Sequence, residues 1–392
     1  MDVDTFPQRF VELLKRALPD RDTFTALHQP SFGGREWEYV KDCLDTGWVS
    51  SVGQYVDRFE RNLAEFTGSP YAVAVVNGTA ALHICFVLAG VKAGDEVIVP
   101  SLSFVATANA VAYCGAIPHF ADVAKGTLGL DPDKLKLHLQ HIAELRSDGH
   151  TYNRESGRRI AAIVPMHTFG HPVDLDPLIE LCAQYRIPLV EDAAESLGSY
   201  YKGKHTGTFG KLAALSFNGN KIITTGGGGA ILTGDPELAK AAKHLTTTAK
   251  LPHRWAFWHD RVGYNYRMPN LNAALGCAQL EQLPQLLNRK RKLAERYKET
   301  FAAFEGVDWF EEPQNAKSNY WLQAVLLDPA LIHARDDILD LTNREGLMTR
   351  PVWTPLHRLP MYGDCPRMNL DTSEELERRI INIPSGPDLI RE

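Results

Sequence analysis

No run of apolar residues in this 392-residue chain approaches the ~20 that a bilayer-spanning helix needs. A surplus of positive charge is also missing. The 42 Lys and Arg stand against 48 Asp and Glu, for a formal net charge of -6, which excludes a broad hold on nucleic acid or anionic membrane. A local basic pocket for a phosphate stays open. Cysteine is sparse: Cys43, Cys85, Cys114, Cys182, Cys277 and Cys365 form no CxxC and no short-range pair, so they read as thiols in a reducing compartment. No cluster of His, Cys and Asp has metal-ligand spacing, and no metal is expected. Neither G-x-G-x-x-G nor a Walker lysine loop occurs, and there are no repeats. Residues 1–18 are charged and mildly amphipathic without an apolar leader core, so a cytoplasmic protein is expected.

What is present is alternation. A chain of this length exceeds a single core, so two domains are expected. Helical spacing marks residues 36–44, 54–66, 79–89, 103–114 and 175–185. Short apolar, β-rich runs mark 71–76, 96–100, 118–122, 160–165 and 188–192. This is the pattern of βαβ units with a largely parallel sheet covered on both faces. Residues 141–159 are polar and turn-rich, a surface excursion. Residues 272–304 form one long helical stretch, leading from a large domain into a smaller α+β unit.

Four segments fall at predicted strand ends. Leu215-Ser216-Phe217-Asn218-Gly219-Asn220-Lys221 sets one lysine in a polar turn before Gly226, Gly227, Gly228 and Gly229. Such a glycine run predicts unusual dihedrals or a close neighbour. A partly desolvated lysine can attack an aldehyde, whereas a solvated loop lysine is inert. An apolar run ending in Glu191-Asp192-Ala193-Ala194-Glu195 delivers acids where open α/β sheets bind ligands. A buried carboxylate there needs a cation, for example a protonated pyridine nitrogen, unless Asp192 caps a following helix. Asn77-Gly78-Thr79-Ala80 opens a helix whose N-terminal amides either bind a phosphate or merely start the helix. Phe104, in Ser101-Leu102-Ser103-Phe104, either stacks on a heteroaromatic ring or fills the core. The order is phosphate turn, aromatic, acid, lysine.

In these segments the sequence resembles the DegT/DnrJ/StrS sugar aminotransferases, and the resemblance runs from Gly47-Trp48-Val49-Ser50 to Asn382-Ile383-Pro384. It implies pyridoxal 5'-phosphate (PLP) as cofactor and an α/β protein of PLP fold type I, aspartate-aminotransferase-like. Residues 1–270 would form the large, mostly parallel sheet domain, and 271–392 the connecting helix and small α+β domain. Lys221 would be the Schiff-base lysine, Asp192 the partner of the pyridine nitrogen, and Glu195 the neighbour of the 3'-hydroxyl. Many relatives have Gln at that last position. Gly78, Thr79 and Ser216 would bind the phosphate, with Ala80 at the same turn, and Phe104 would stack on the ring. Asn265, in Gly263-Tyr264-Asn265-Tyr266-Arg267, would reach the phosphate of the neighbouring subunit, which makes the enzyme a homodimer.

The family's dehydratase branch carries histidine in place of the lysine, so Lys221 favours transamination. Residues 218–225 and 245–250 look like the transaminases of nonulosonate (legionaminic acid) synthesis. Those install an amine at C4 of a nucleotide-linked 2-acetamido-4-keto-2,6-dideoxyhexose, with L-glutamate as usual donor. Arg35, Trp48, Ser50, Ser51, Arg254 and Arg350 are candidates for the nucleotide groove. His167 sits at a strand end, either touching the site or packed. The rivals are another PLP reaction on the same scaffold, such as 3-amination or dehydration, and a non-enzymatic relative.

Overall fold

The apolar runs pair into one seven-stranded sheet. The computed structural model describes residues 5–19 and 24–390; of the stretch 1–18, residues 1–4 lie outside the described residues. In chain order the elements are α1 (Phe6–Ala17), α2 (Glu36–Thr46), α3 (Gln54–Thr67), β1 (Tyr71–Val75), α4 (Gly78–Ala89), β2 (Glu96–Pro100), α5 (Ala106–Tyr113), β3 (Ile117–Ala121) and α6 (Pro132–Ile142). They continue with β4 (Ile160–Ile163), α7 (Leu175–Tyr185), β5 (Val190–Asp192), β6 (Leu212–Ser216), β7 (Gly229–Thr233), α8 (Pro236–Thr246) and α9 (Asn270–Phe301). The polar excursion between α6 and β4 is a small antiparallel hairpin, Ala143–Leu145 against Thr151–Asn153.

Across the sheet the order is β1-β7-β6-β5-β4-β2-β3. Parallel bridges from Ile163 to Leu189 and from Met166 to Asp192 join its two halves. Only β7 runs antiparallel to its neighbours. The strands are apolar along almost their whole length because helices cover both faces; β2 is buried at every position. Six strands therefore end on one rim, and the segments after β1, β2, β4, β5 and β6 meet there.

The helix expected from residue 103 begins at Ala106 instead. The Ser103 hydroxyl bonds inward, 3.1 Å from Thr107 Oγ1 and 2.8 Å from Met166 Sδ, and holds the preceding residues as a loop on the rim.

Helix α9 is 32 residues, about 48 Å at 1.5 Å per residue. Its first half packs Ala273, Cys277 and Leu280 against Phe59 and Leu63 of α3. Its far end carries Leu293, Tyr297 and Phe301 into a second core, which also takes Phe6, Phe10 and Leu14 of α1. The N-terminal helix thus packs on the C-terminal unit. That unit holds a four-stranded antiparallel sheet, β8 (Val307–Trp309), β9 (Gln323–Leu327), β10 (Arg350–Pro351) and β11 (Ile380–Ile383), in the order β8-β9-β11-β10. Helices α10 (Arg335–Arg344) and α11 (Asp371–Arg379) complete it.

One buried carboxylate ties the two units. Asp122, just past β3, accepts from the Ser373 amide (2.8 Å), the Ser373 hydroxyl (2.6 Å) and the Thr372 amide (3.1 Å) at the start of α11. Lys134 completes its shell at 2.6 Å. These charge-assisted bonds hold the Asp122 carboxyl below its ordinary range despite burial.

Candidate active site

At the rim, α4 begins with Asn77, whose side-chain oxygen accepts from the Ala80 amide at 2.8 Å. The amides of Gly78 and Thr79 and the hydroxyls of Thr79 and Ser216 have no hydrogen-bond partner among the described residues. A Cβ on Gly78 would lie 2.8 Å from the Ser216 Cβ, so glycine lets α4 approach the end of β6. The glycine run divides its work. Gly226 has φ +79°, while a Cβ on Gly229 would lie 2.5 Å from the carbonyl carbon of Asn77. That neighbour is backbone and cannot give way. Gly229→Ala is expected to cost about 1–3 kcal/mol in urea unfolding and to weaken phosphate binding through displacement of Asn77.

Beside this cradle, β5 presents Asp192, 3% exposed. Its carboxylate accepts from Thr107 Oγ1 at 2.6 Å and from the Ala194 amide at 3.2 Å, while burial pushes its pKa up. No helix follows, so the capping alternative falls. Strand alternation sends Glu191 to the other face, where it accepts from the amides of Gly207 (2.7 Å), Phe209 (2.7 Å) and Gly210 (2.6 Å). His167 is turned toward that shell. Its Nδ1 accepts from the Val173 amide at 3.3 Å, so Nε2 carries the proton and donates to Glu191 at 3.1 Å. It is a packed histidine outside the cavity.

Lys221 Nζ stands 3.2 Å from Glu195 Oε1 and 3.7 Å from the centroid of the Trp321 ring, with the side chain 12% exposed. The other oxygen of Glu195 accepts from the Phe169 amide at 2.9 Å. Phe169 is held at φ 56°, a left-handed conformation costly for a bulky residue and stabilised by that bond. Trp321 is fixed twice: its indole N–H donates to the Asn220 carbonyl at 2.6 Å, and its own carbonyl accepts from the fully buried Lys290 of α9 at 2.7 Å. Lys290 also donates to the Ser385 carbonyl.

Gly78, Thr79, Phe104, Asp192, Glu195, Ser216 and Lys221 line one cavity of about 350 Å³. Ala80 is buried behind it, with its amide spent on Asn77. Phe104 is 48% exposed and is no core residue. Asn265 is exposed, bridged to Thr247, and lies outside this cavity. None of the six nucleotide-groove candidates lines it. Arg35 pairs with Glu38, Arg254 lies over Trp255, and Arg350 donates to Asn343 at 2.9 Å. The Ser50 carbonyl accepts from the Asn270 amide, Ser51 is half-buried, and Trp48 lines a separate cleft with Asp57. Thr107, Trp321, Trp353 and Lys290 have no sequence signature; only the folded chain brings them here.

The donor set fits PLP. Unspent amides and hydroxyls at a helix N-terminus suit a phosphate, the buried carboxylate suits a protonated ring nitrogen, and a lysine stands near both. Residues 30–392 match the DegT/DnrJ/EryC1/StrS aminotransferase family. The chain belongs to this family. It is 37% identical over 369 residues to the GDP-perosamine synthase of Escherichia coli O157:H7, covering 94% of this chain and 95% of that one. It is 32% identical over 380 residues to the dTDP-4-dehydro-2,3,6-trideoxy-D-glucose 4-aminotransferase of Saccharopolyspora spinosa, with 93% and 92% covered. Among solved structures, the aminotransferase TlmJ of Streptoalloteichus hindustanus superposes with a TM-score of 0.82 at 31% identity, over 92% of this chain and 93% of that one.

The protein is a PLP-dependent sugar aminotransferase of fold type I. No helix among the described residues is long and apolar enough to cross a membrane.

In this aminotransferase, burial pushes the Glu195 carboxyl up to about 6, with Lys221 as the main opposing influence. A raised carboxyl binds its proton more tightly in the folded state. The cofactor-free protein should therefore lose about 2 kcal/mol of stability, relative to Glu195→Gln, as pH rises from about 3.5 to about 7. Urea unfolding of both proteins across that window checks the sign and the size.

Proposed function

We propose that this enzyme transfers an amino group, with L-glutamate as donor, to C4 of a nucleotide-linked 4-keto-6-deoxyhexose for surface-glycan synthesis. The observation that carries this reading is the meeting of Lys221, Asp192 and the open amides of α4 in one cavity. The 4-aminotransferase named above supports C4 amination by its name, and the GDP-perosamine synthase favours a GDP-linked sugar. The 2-acetamido substrate of legionaminic acid synthesis rests on the likeness of two short segments alone.

The residues of the cavity take these roles in this reading. Lys221 would hold the cofactor and would move a proton to and from the substrate carbon as general acid–base. Asp192 holds a proton on the pyridine nitrogen, with Thr107 fixing the carboxylate. Bound there, PLP supplies the electron sink for transamination. The Gly78 and Thr79 amides and the Ser216 hydroxyl take the phosphate. Phe104 covers the ring, and Glu195 lies near the 3'-hydroxyl.

Asn265 serves the site of the second subunit in a homodimer, which accords with its exposure and its distance from the cavity of its own chain. A dehydratase is disfavoured by the lysine at position 221. The test is to load the amino group from L-glutamate and then offer GDP-, dTDP- and UDP-linked 4-keto-6-deoxyhexoses in turn. Discharge by a GDP-linked sugar supports the reading. Discharge by 2-keto acids alone defeats it.

A further inference from the structure

Beyond the residues given cofactor roles above, the cavity wall carries Asn218, Asn220 and two indoles, Trp321 and Trp353. Trp353 follows β10 and is half-buried at the cavity. Its ring lies 5.2 Å from Phe169 and 6.3 Å from Phe104, centroid to centroid. It therefore stands next to the ring assigned to cover the cofactor. The indole N–H of Trp321 is spent on Asn220, but that of Trp353 has no partner among the described residues.

The segment carrying Trp353 is pinned on both sides. On one, the Val352 amide meets the Ile380 carbonyl. On the other, the Leu356 amide donates to the Ser101 carbonyl at 2.8 Å. His357 lies between the Ser101 hydroxyl (2.7 Å) and Glu374 (3.1 Å). Beside the ring, Phe169 is held by the hydrogen bond that its backbone N–H donates to Glu195. A rigid aromatic face with one open donor at its edge binds a ligand that is apolar on one side and hydroxylated at its rim. A 6-deoxyhexopyranose has that character; glutamate, charged at both ends and acyclic, does not.

We propose that Trp353 is the platform for the sugar ring and so a specificity-determining residue of the second half-reaction only. This rests on the function proposed above. The test uses the PLP-loaded enzyme with Trp353→Ala and Trp353→Phe, and follows each half-reaction separately by the cofactor's absorbance. Binding of a GDP-linked 6-deoxyhexose without a keto group, measured by calorimetry, gives a readout independent of turnover. Trp353→Ala should raise the sugar KM and the calorimetric Kd about tenfold more than it raises the KM for L-glutamate. Trp353→Phe, which keeps a face and loses the donor, should fall between.

Equal loss in both half-reactions, or a sugar KM within about twofold of wild type in both variants, would overturn the assignment and leave the proposed function standing. A wild type that takes no amino group from any donor defeats the function first and this platform with it.

Discussion

Lys221→Ala is expected to remove the visible absorption band of a PLP Schiff base and to lower turnover by at least about 10²–10⁴-fold, the contribution of a positioned acid–base group. Among the described residues the polar and cation–π partners of the side chain are Glu195 and the Trp321 ring, so the fold and its melting temperature should be little changed. Lys221→Arg is the sharper control. It keeps a cation beside Glu195 and over Trp321, yet its guanidinium forms no Schiff base and gives up no proton near neutral pH. If charge alone mattered, Arg would preserve function. With Lys221 as Schiff-base residue, Arg fails as Ala does, and absorbance with single-turnover kinetics measures both.

Asp192→Asn should cost on the order of 10²–10³-fold in kcat, the size expected when one buried, preorganised electrostatic partner is neutralised. The amide fits the same space, and Thr107 can still bond to its oxygen, so packing is preserved. What goes is the negative charge, which burial at 3% exposure makes costly unless a cation faces it. Unfolding of the cofactor-free variant should therefore show equal or greater stability than wild type, because an uncompensated buried carboxylate has been removed. Lower activity with undiminished stability separates a functional charge from a structural one. A variant that loses stability and retains turnover would assign Asp192 to packing.

Much of the fold and the site is legible in the sequence because strand ends announce themselves. An apolar run followed by Asp192, Ser216 or Gly78 states both the element and its rim position. The strands are the easier part, since continuous burial writes continuous apolar sequence. The start of α5 is not legible: nothing in Ser103-Phe104-Val105 breaks the chain before the helical pattern that follows. Yet Ser103 bonds to Thr107 and Met166 across the rim, and local sequence does not encode that tertiary contact. Trp321 and Trp353 escape sequence reasoning on the same ground. They lie far along the chain from Lys221, in a separate unit, and reach the cavity only through β9, β10 and the anchor at Lys290. Arg35, Arg254 and Arg350 do not line the cavity of their own chain, and positive charge alone does not say where a side chain points.

The role of Lys221 and the transaminase reaction are both read from the absorption spectrum of the PLP-reconstituted wild-type protein before and after L-glutamate. The expected result is a Schiff-base band that disappears on adding the donor and returns when a GDP-linked 4-keto-6-deoxyhexose is supplied. A reconstituted protein with no such band would contradict the role of Lys221. A band indifferent to L-glutamate and to every other amino donor would leave a PLP-binding protein that is not a transaminase.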